Sequence, residues 1–463
     1  MRLRHVVSAV LLAAAAGCKS DDLLQVDPTT SIPEEQAIVD AATARAALAG
    51  AYNALQDADD AYYYAESFVD FGDLASDNTE AVGTFTQYYD ADDNDIRADD
   101  SVIEGIWDNI YEGISRTNIL IARLPSVAGL DPEERDNMLG QVHFLRALHY
   151  HNLLKHWAGP IPGNANADGV PLRLEPVSDI ATASQIQRAS RADVYTQIFA
   201  DLQLAETLLA GTSDTRRASF GAVKALQARV HLYREDWANA LATASAAEAE
   251  GYSLASSYGD LFTSEGTETS EDIFRIVYTP QEFNLLSYYY LHDTFGGRYE
   301  VAPTQNLYDA YEASDGRRDV TIQLADDESL FGFKYPSSGA GTEHVHVIRF
   351  AEVILTKAEA LARQGQLGLA VAEYNRVRQR AGLTPHVLGV TIANDQNAVL
   401  AQIWKERRLE FALEGDRYAE LVRTGQFLTA LNLAPERAYQ SRYPIPQNER
   451  DVTQPALTQN PGY

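Results

Sequence analysis

Cysteine is nearly missing from this chain: Cys18 is the only one among 463 residues. A lone cysteine excludes an intramolecular disulfide framework and any cysteine-built zinc site. Positive charge is scarce as well. Lys and Arg total 37 against 66 Asp and Glu, a formal net charge of −29. The chain therefore lacks the clustered cations that phosphate backbones need, and no nucleic-acid partner is expected. It also lacks a basic face for anionic lipid. No apolar run reaches the ~20 residues of a membrane-spanning helix. There is no G-x-S-x-G elbow, phosphate loop, dinucleotide glycine pattern or H-E-x-x-H, so no cofactor is expected. A glycoside hydrolase needs only two carboxylates at a fixed separation, and among 66 acids no sequence can nominate them. On the residues alone, hydrolysis stays open.

What is present begins at the N-terminus. Arg2 and Arg4 precede an apolar stretch from Val6 to Ala16, too short to span a bilayer, and small residues Ala15, Ala16 and Gly17 lead into Cys18. This resembles a bacterial lipobox, with Ala15 where Leu is commonest. The other reading is an ordinary secretory leader that happens to hold a cysteine. The lipobox reading makes residues 1–17 a cleaved signal peptide and Cys18 the lipidated residue. Residues 18–33 then form a flexible leader. The run Lys19-Ser20-Asp21-Asp22 is similar to the surface-export signal of Bacteroidetes-type lipoproteins.

The body has 45% hydrophobic and 22% charged residues, enough to bury a core, and a length that allows about three domains or one large one. Helical periodicity dominates it. Helices are expected over Glu34–Leu55, Asp100–Leu124, Asp131–Trp157, Arg191–Leu209, Ser219–Tyr233, Trp237–Glu250, Ile348–Arg363, Leu367–Arg380, Ala398–Glu414 and Arg417–Thr424. Asp131-Pro132-Glu133-Glu134 is a strong start signal, with an N-cap acid and proline at the first helical position. Ala228–Ala240 aligns without a gap on Ala358–Ala370. Each copy joins two helices through a short polar turn, which resembles the tetratricopeptide repeat. Trp107, Trp237 and Trp404 fall on helical apolar faces and read as core.

Three regions lack this period: about 61–99, 160–190 and 252–342. They are rich in turn formers and tyrosine, and Ile273–Tyr278 is a strand candidate. Ordered loops of such length are commonly functional. Tyr62-Tyr63-Tyr64, Phe85, Tyr88-Tyr89, Tyr288-Tyr289-Tyr290, Phe295 and Tyr299 lie in them, and three tyrosines in a row are not expected all to face a core. A sugar ring has an apolar C–H face that stacks on aromatics and a polar rim read by Asn, Asp, Gln and Arg. The bland alternative is that these rings pack the loops. Asp90 to Asp95 fails the EF-hand pattern at positions six and twelve and reads as a solvated acidic loop. His344 and His346 share a strand face without a third metal ligand in view.

Four further segments carry a resemblance. They are Arg146-Ala147-Leu148-His149-Tyr150 through Gly159-Pro160-Ile161-Pro162, then Val347–Leu383, Ile403–Gly425, and the closing Tyr443-Pro444-Ile445-Pro446-Gln447 with Gln459–Tyr463. In this order they resemble the SusD/RagB family of nutrient-binding outer-membrane lipoproteins. The resemblance implies a mainly all-α fold: a tetratricopeptide-like helix-turn-helix scaffold with long irregular, partly β insertions carrying the ligand site. Conventional halves would be 34–260 and 261–463 of one body. It implies a binding protein and no enzyme, one that captures an oligosaccharide, glycopeptide or peptide. The protein would pass its ligand to a SusC-like TonB-dependent transporter in the outer membrane. By region, it implies Asp77, Asn78, Tyr88, Tyr89, Tyr288, Tyr289, Tyr290 and Phe295 as ligand contacts. Arg146, Glu406 and Arg407 are expected to join one buried charge network, with Arg417 and Arg423 serving carboxylates. A surface glycoside hydrolase and a protein-only repeat scaffold are the alternatives.

The anchor is directly testable. Cys18→Ser should move the protein from the membrane to the soluble fraction of lysed cells, and intact membrane association of that variant would refute lipidation at Cys18.

Overall fold

Side-chain caps open several of the long helices, Asp131 at the expected start and Asp40 six residues after the expected start at Glu34. In the computed structural model, the described residues are 37–57, 60, 62–159, 166–177, 180–264, 266–337, 340–453 and 455–463. Cys18, the 1–17 leader, the 18–33 tether and Pro160–Pro162 lie outside them. Helix α1 (Ala41–Gln56) is capped by Asp40, whose carboxylate accepts from Thr43 N at 2.8 Å. Next come α2 (Ser67–Leu74) and α3 (Thr86–Asp92). Asp100 accepts from Val102 N and Ile103 N at 2.8 and 3.1 Å and opens α4 (Ser101–Arg123). Asp131 caps α5 (Pro132–Leu153), which widens into a π turn over Leu154–Ala158. The remaining long helices are α6 (Arg191–Leu208), α7 (Phe220–Tyr233), α8 (Trp237–Glu248), then the single turn α9 (Leu286–Tyr290), α10 (Phe350–Arg363), α11 (Leu367–Arg380), α12 (Gln396–Glu410) and α13 (Arg417–Arg423).

Helices make up most of the fold, as expected, and the two aligned segments form equivalent hairpins, α7–α8 and α10–α11, with α8 packed on α10. Their turns match in conformation. Glu235 and Gly365, equivalent in the alignment, both have positive φ, at 57° and 76°. Small residues make the close packing possible: Ala240, Ala244 and Ala247 of α8 and Ala358 and Ala362 of α10 are buried. One hydrophobic cluster runs from Ile38 to Leu457 and crosses the conventional boundary at residue 260.

Among the described residues strands come as antiparallel pairs: β1 (Thr79–Ala81) with β5 (Val301–Pro303), β2 (Asp168–Pro171) with β3 (Arg188–Ser190), β4 (Asp272–Ile276) with β8 (Val345–Arg349), and β6 (Ile322–Leu324) with β7 (Leu330–Gly332). β4 falls on the expected strand, whereas β8 takes the first two residues assigned to the helix at Ile348.

Region 61–99 holds helix that periodicity missed. Every residue of α2 is buried, so it has no polar face to create a period. Tyr63 and Tyr64 are both buried, with the Asn152 amide donating to both hydroxyls at 2.7 and 2.9 Å, while Tyr62 is half-buried, so the three do not all face the core. Trp107 is core, but Trp237 and Trp404 are half-buried rings under the guanidinium of Arg363, 5.0 and 5.5 Å from their centroids. The closing segment packs on the end of α5: Trp157 Nε1 donates to Pro444 O at 2.9 Å, and Asn460 Nδ2 to Trp157 O and Tyr443 O, both at 2.7 Å.

The charge network is three clusters rather than one. Arg146 pairs with Asp201 at 2.7 Å and donates to Asn118 at 2.8 Å, which ties α5 to α6 and α4. Arg407 lies 3.3 and 3.1 Å from the carboxylates of Asp416 and Glu420. Glu406 belongs to a third cluster, 2.9 Å from Arg317 and 2.8 Å from Arg378. Its neighbour one turn on, Glu410, contacts Arg349 at 2.5 Å, Arg317 at 3.3 Å, and Arg380. Arg349 also reaches Glu271 at 2.9 Å. Burial alone would push the Glu410 carboxyl up, but Arg380, Arg349 and Arg317 hold it well below the usual carboxylate range. Arg417 and Arg423 serve carboxylates as expected, Asp77 at 2.6 Å and Glu359 at 2.7 Å.

Removing a charge from the centre of such a cluster strands its partners in a low-dielectric interior. Glu410→Gln should therefore cost about 3–5 kcal/mol in denaturant unfolding. Arg45→Ala, which breaks an exposed pair with Glu134, should barely move the same curve. Equal effects of the two variants would remove Glu410 from its structural role.

Candidate functional site

Two irregular regions far apart in sequence meet through a three-residue ladder. β1 pairs with β5 in the register Thr79↔Pro303, Glu80↔Ala302 and Ala81↔Val301. The ladder continues as Val82 N and Gly83 N donate to Glu300 O, at 3.0 and 3.3 Å. On the other side, Glu300 N donates to Tyr289 O at 2.9 Å and Arg298 N to Tyr288 O at 2.6 Å. These main-chain bonds set α3 against α9.

The result is an aromatic platform centred on Tyr289. Its ring meets Phe85 nearly at right angles at 5.8 Å, Tyr88 at 6.2 Å, and Tyr288 tilted at 5.6 Å. Edge-to-face contacts place the positive edge of one ring on the negative face of another and fix the rings without a covalent link. Tyr288 and Tyr89 remain 37% and 41% exposed, so the platform has open rings to offer. The Tyr89 hydroxyl donates to Gly83 O at 3.0 Å, which folds that ring back on the 83–85 turn.

A buried carboxylate clamps the turn. Glu300, 1% exposed, accepts from Thr84 N at 2.6 Å, Phe85 N at 3.3 Å and Arg298 Nε at 2.5 Å. Arg298 in turn lies over Phe85, 4.2 Å from the ring centroid. A Cβ at position 83 would sit 2.0 Å from Glu300 Oε2, so only glycine lets the carboxylate close on the turn.

Beneath the platform lies an acid pair without a cation. The Tyr88 hydroxyl contacts the Glu66 carboxyl and sits 3.1 Å from Asp70 Oδ2. One phenolic proton serves only one carboxylate, so the second contact needs a proton on an acid. Burial is the main cause that pushes Glu66 up to about 7 and Asp70 well above its ordinary range.

The expected contacts thus divide. Tyr88, Tyr89, Tyr288 and Tyr289 come together, with Tyr89 and Tyr288 outermost. Tyr88, 2% exposed, is a buttress rather than a contact surface, and Tyr290, fully buried, stacks on Tyr335 at 6.2 Å. Asn78 is also fully buried, donating to Asp73 and accepting from Arg408 Nε, both at 2.9 Å. Asp77 turns toward Arg417 at 2.6 Å and Arg408 at 3.3 Å. Burial alone would push its carboxyl pKa up, but the Arg417 bond and the two guanidinium charges hold it below the usual range. These four side chains are corrected from contacts to supports, since their surface or charge is already spent. Phe295, 46% exposed, packs on Phe331 at 4.8 Å in a separate cluster with Leu291 and Ala325. Residue lists by region missed Arg298 and Glu300. Both precede β5, and Tyr299 between them has a positive φ of 56°, a turn that no spacing in the sequence announces.

No group of three or more His, Asp or Glu is placed to hold a metal among the described residues. His346 Nδ1 contacts Asp272 at 2.7 Å, and Asp92 accepts from Ala81 N at 3.0 Å to brace β1.

Comparison with known proteins adds the following. A family model described as "SusD family" matches residues 332–436, and one described as "Starch-binding associating with outer membrane" matches 22–232. A SusD-like protein (P38) of Formosa agariphila is 26% identical over 478 aligned positions and covers 90% of each chain. A solved SusD superfamily structure from Bacteroides vulgatus superposes with TM-score 0.80 at 21% identity, covering 93% of this chain and 99% of that one. A laminarin-binding SusD-like protein superposes with TM-score 0.77 at 26% identity, covering 92% and 100%.

The acid pair makes stability depend on pH. An acid whose folded-state pKa is raised holds a proton that the unfolded chain releases, so stability falls as pH rises from the ordinary carboxylate range toward about 7. Glu66→Gln keeps an acceptor for Tyr88 and removes this penalty. Its melting temperature should gain on that of the native chain between about pH 5 and about pH 8. A constant difference across that range would show that Glu66 titrates normally.

Proposed function

Because the chain belongs to the SusD/RagB family, we propose that it is a cell-surface lipoprotein that binds an oligosaccharide on the Phe85–Tyr289 platform. Delivery to a SusC-like TonB-dependent transporter follows as part of the same reading. The platform is the observation that carries it. Exposed Tyr89 and Tyr288 beside a rigidly clamped Phe85 and Tyr289 suit the apolar faces of successive sugar rings. Arg298 stands at the edge, where hydroxyls would lie. Binding by stacking needs no catalytic pair, and the relatives are named for what they bind: starch in one family description, laminarin in one solved structure. Attachment to the outer membrane would run through Cys18, since no helix among the described residues is long and apolar enough to cross a membrane. The 34–260 and 261–463 halves would act as one body, because the platform takes α3 from one and α9 from the other.

Each ring lost from such a platform costs on the order of 1 kcal/mol, so affinity is spread over several modest contacts. Calorimetry with laminarihexaose and maltohexaose on Tyr89→Ala, Tyr288→Ala and Tyr289→Ala should show that loss in at least one sugar series. A neutral glycan should also bind with little dependence on salt. Unchanged affinity in all three folded variants would place the site elsewhere. Steep weakening with salt, or binding of peptides alone, would overturn the glycan reading.

A further inference from the structure

Between α1 and β4 runs a groove of about 590 Å³ that contains none of the platform rings. Its size is that of a small-ligand site, and so is its make-up, an apolar floor with a few convergent polar groups. Tyr52 and Phe274 form the floor, both buried, with ring centroids 6.4 Å apart. The Arg217 guanidinium lies over Tyr52, 4.2 Å from the ring centroid.

Arg217 is the unusual member. It is half-buried, yet among the described residues no carboxylate or carbonyl accepts a hydrogen bond from its guanidinium, in a chain with 66 acids against 37 bases. Arg275 in the same groove is spent on Glu268 at 2.8 Å. Asp214 lines the same groove; its hydrogen bonds go to Arg216 at 3.1 Å, and its charge acts on Arg217 through space without a hydrogen bond. Glu282, at the rim, is exposed and solvated. Amides stand beside the free cation. Gln56 uses its nitrogen on Val277 O at 2.6 Å and keeps its carbonyl oxygen, and Asn53 makes no side-chain hydrogen bond among the described residues.

We propose that this groove is a second binding site, for a sugar residue bearing an anionic group, either a carboxylate or a sulfate ester. A guanidinium lying over a ring keeps N–H donors free for other partners, and its planar fork matches paired oxygens of either group. The amides of Asn53 and Gln56 supply both a donor pair and an acceptor for hydroxyls. On a surface of net charge −29 an anion is repelled over much of its extent, so an arginine with no carboxylate bonded to its guanidinium is a place where it gains. The ligand class rests on the carbohydrate-binding reading, while the site is independent of the platform.

Calorimetry on the full chain in detergent with tetragalacturonate, sulfated neocarratetraose and neutral cellotetraose tests it. At least one acidic probe should bind about tenfold more tightly than cellotetraose, and Arg217→Gln should remove that advantage. Tyr289→Ala should leave it intact. Because Arg217 packs on Tyr52, Asn53→Ala serves as a second variant, with a loss of about threefold expected for one hydrogen bond. Binding of only the carboxylate or only the sulfate probe supports the site and identifies its anion. Failure of both acidic probes, or equal affinity in both groove variants, overturns it. Loss of acidic-probe binding in Tyr289→Ala alone would assign those probes to the platform and also overturn it. Failure of the neutral hexaoses with the groove intact would sink the platform reading alone.

Discussion

One buried carboxylate holds the scaffold and its insertions together. Glu410 ends α12, and the arginines around it come from three places: Arg317 from the 252–342 insertion, Arg349 from the β8–α10 junction, and Arg380 from the end of α11. No hydrophobic contact could specify that junction so narrowly, because apolar packing tolerates sliding and a guanidinium–carboxylate fork does not. The negative charge is tolerable there only because several cations surround it. Gly415, five residues later, completes the junction. Its φ of +75° and the 2.8 Å that a Cβ would leave to Val69 Cα admit no side chain, so α2 can press against the turn.

With the insertion fixed at one end, a short ladder is enough to place its other end. β1 and β5 pair over three residues, which would be marginal alone. Glu300 adds side-chain bonds to the same turn, and the turn carries Phe85. The platform is therefore fixed for electrostatic and steric reasons, while Tyr89 and Tyr288 keep exposed rings. Rigid rings lose little entropy on meeting a ligand, which is how modest stacking energies become useful affinity.

Charge plays opposite roles inside and outside. Inside, buried acids meet arginines, singly at Asp201 and in clusters at Glu406, Glu410 and Glu420. The Glu66–Asp70 pair differs, with burial favouring protonation and no ion pair to a cation among the described residues. Outside, Arg217 lies over Tyr52 in its groove with no carboxylate bonded to its guanidinium among the described residues. Similarity to solved structures near 20% identity fixes the fold of the scaffold, while the side chains of the insertions are this chain's own.

The sequence by itself determined the helices, the paired hairpins and the family. Capping acids such as Asp131, the Ala-rich faces and the gapless match of Ala228–Ala240 to Ala358–Ala370 are local or periodic signals, and local signals survive in one dimension. It also located the two insertions that build the platform. Tertiary structure alone decided which tyrosines face out. Tyr63, Tyr64, Tyr88 and Tyr290 turned inward because bends and a ladder between residues some 220 positions apart set their direction. The partners of Arg146, Arg407 and Glu406 were equally out of reach. A charge's partner depends on which helices touch, and nothing in the spacing of residues along one helix encodes that.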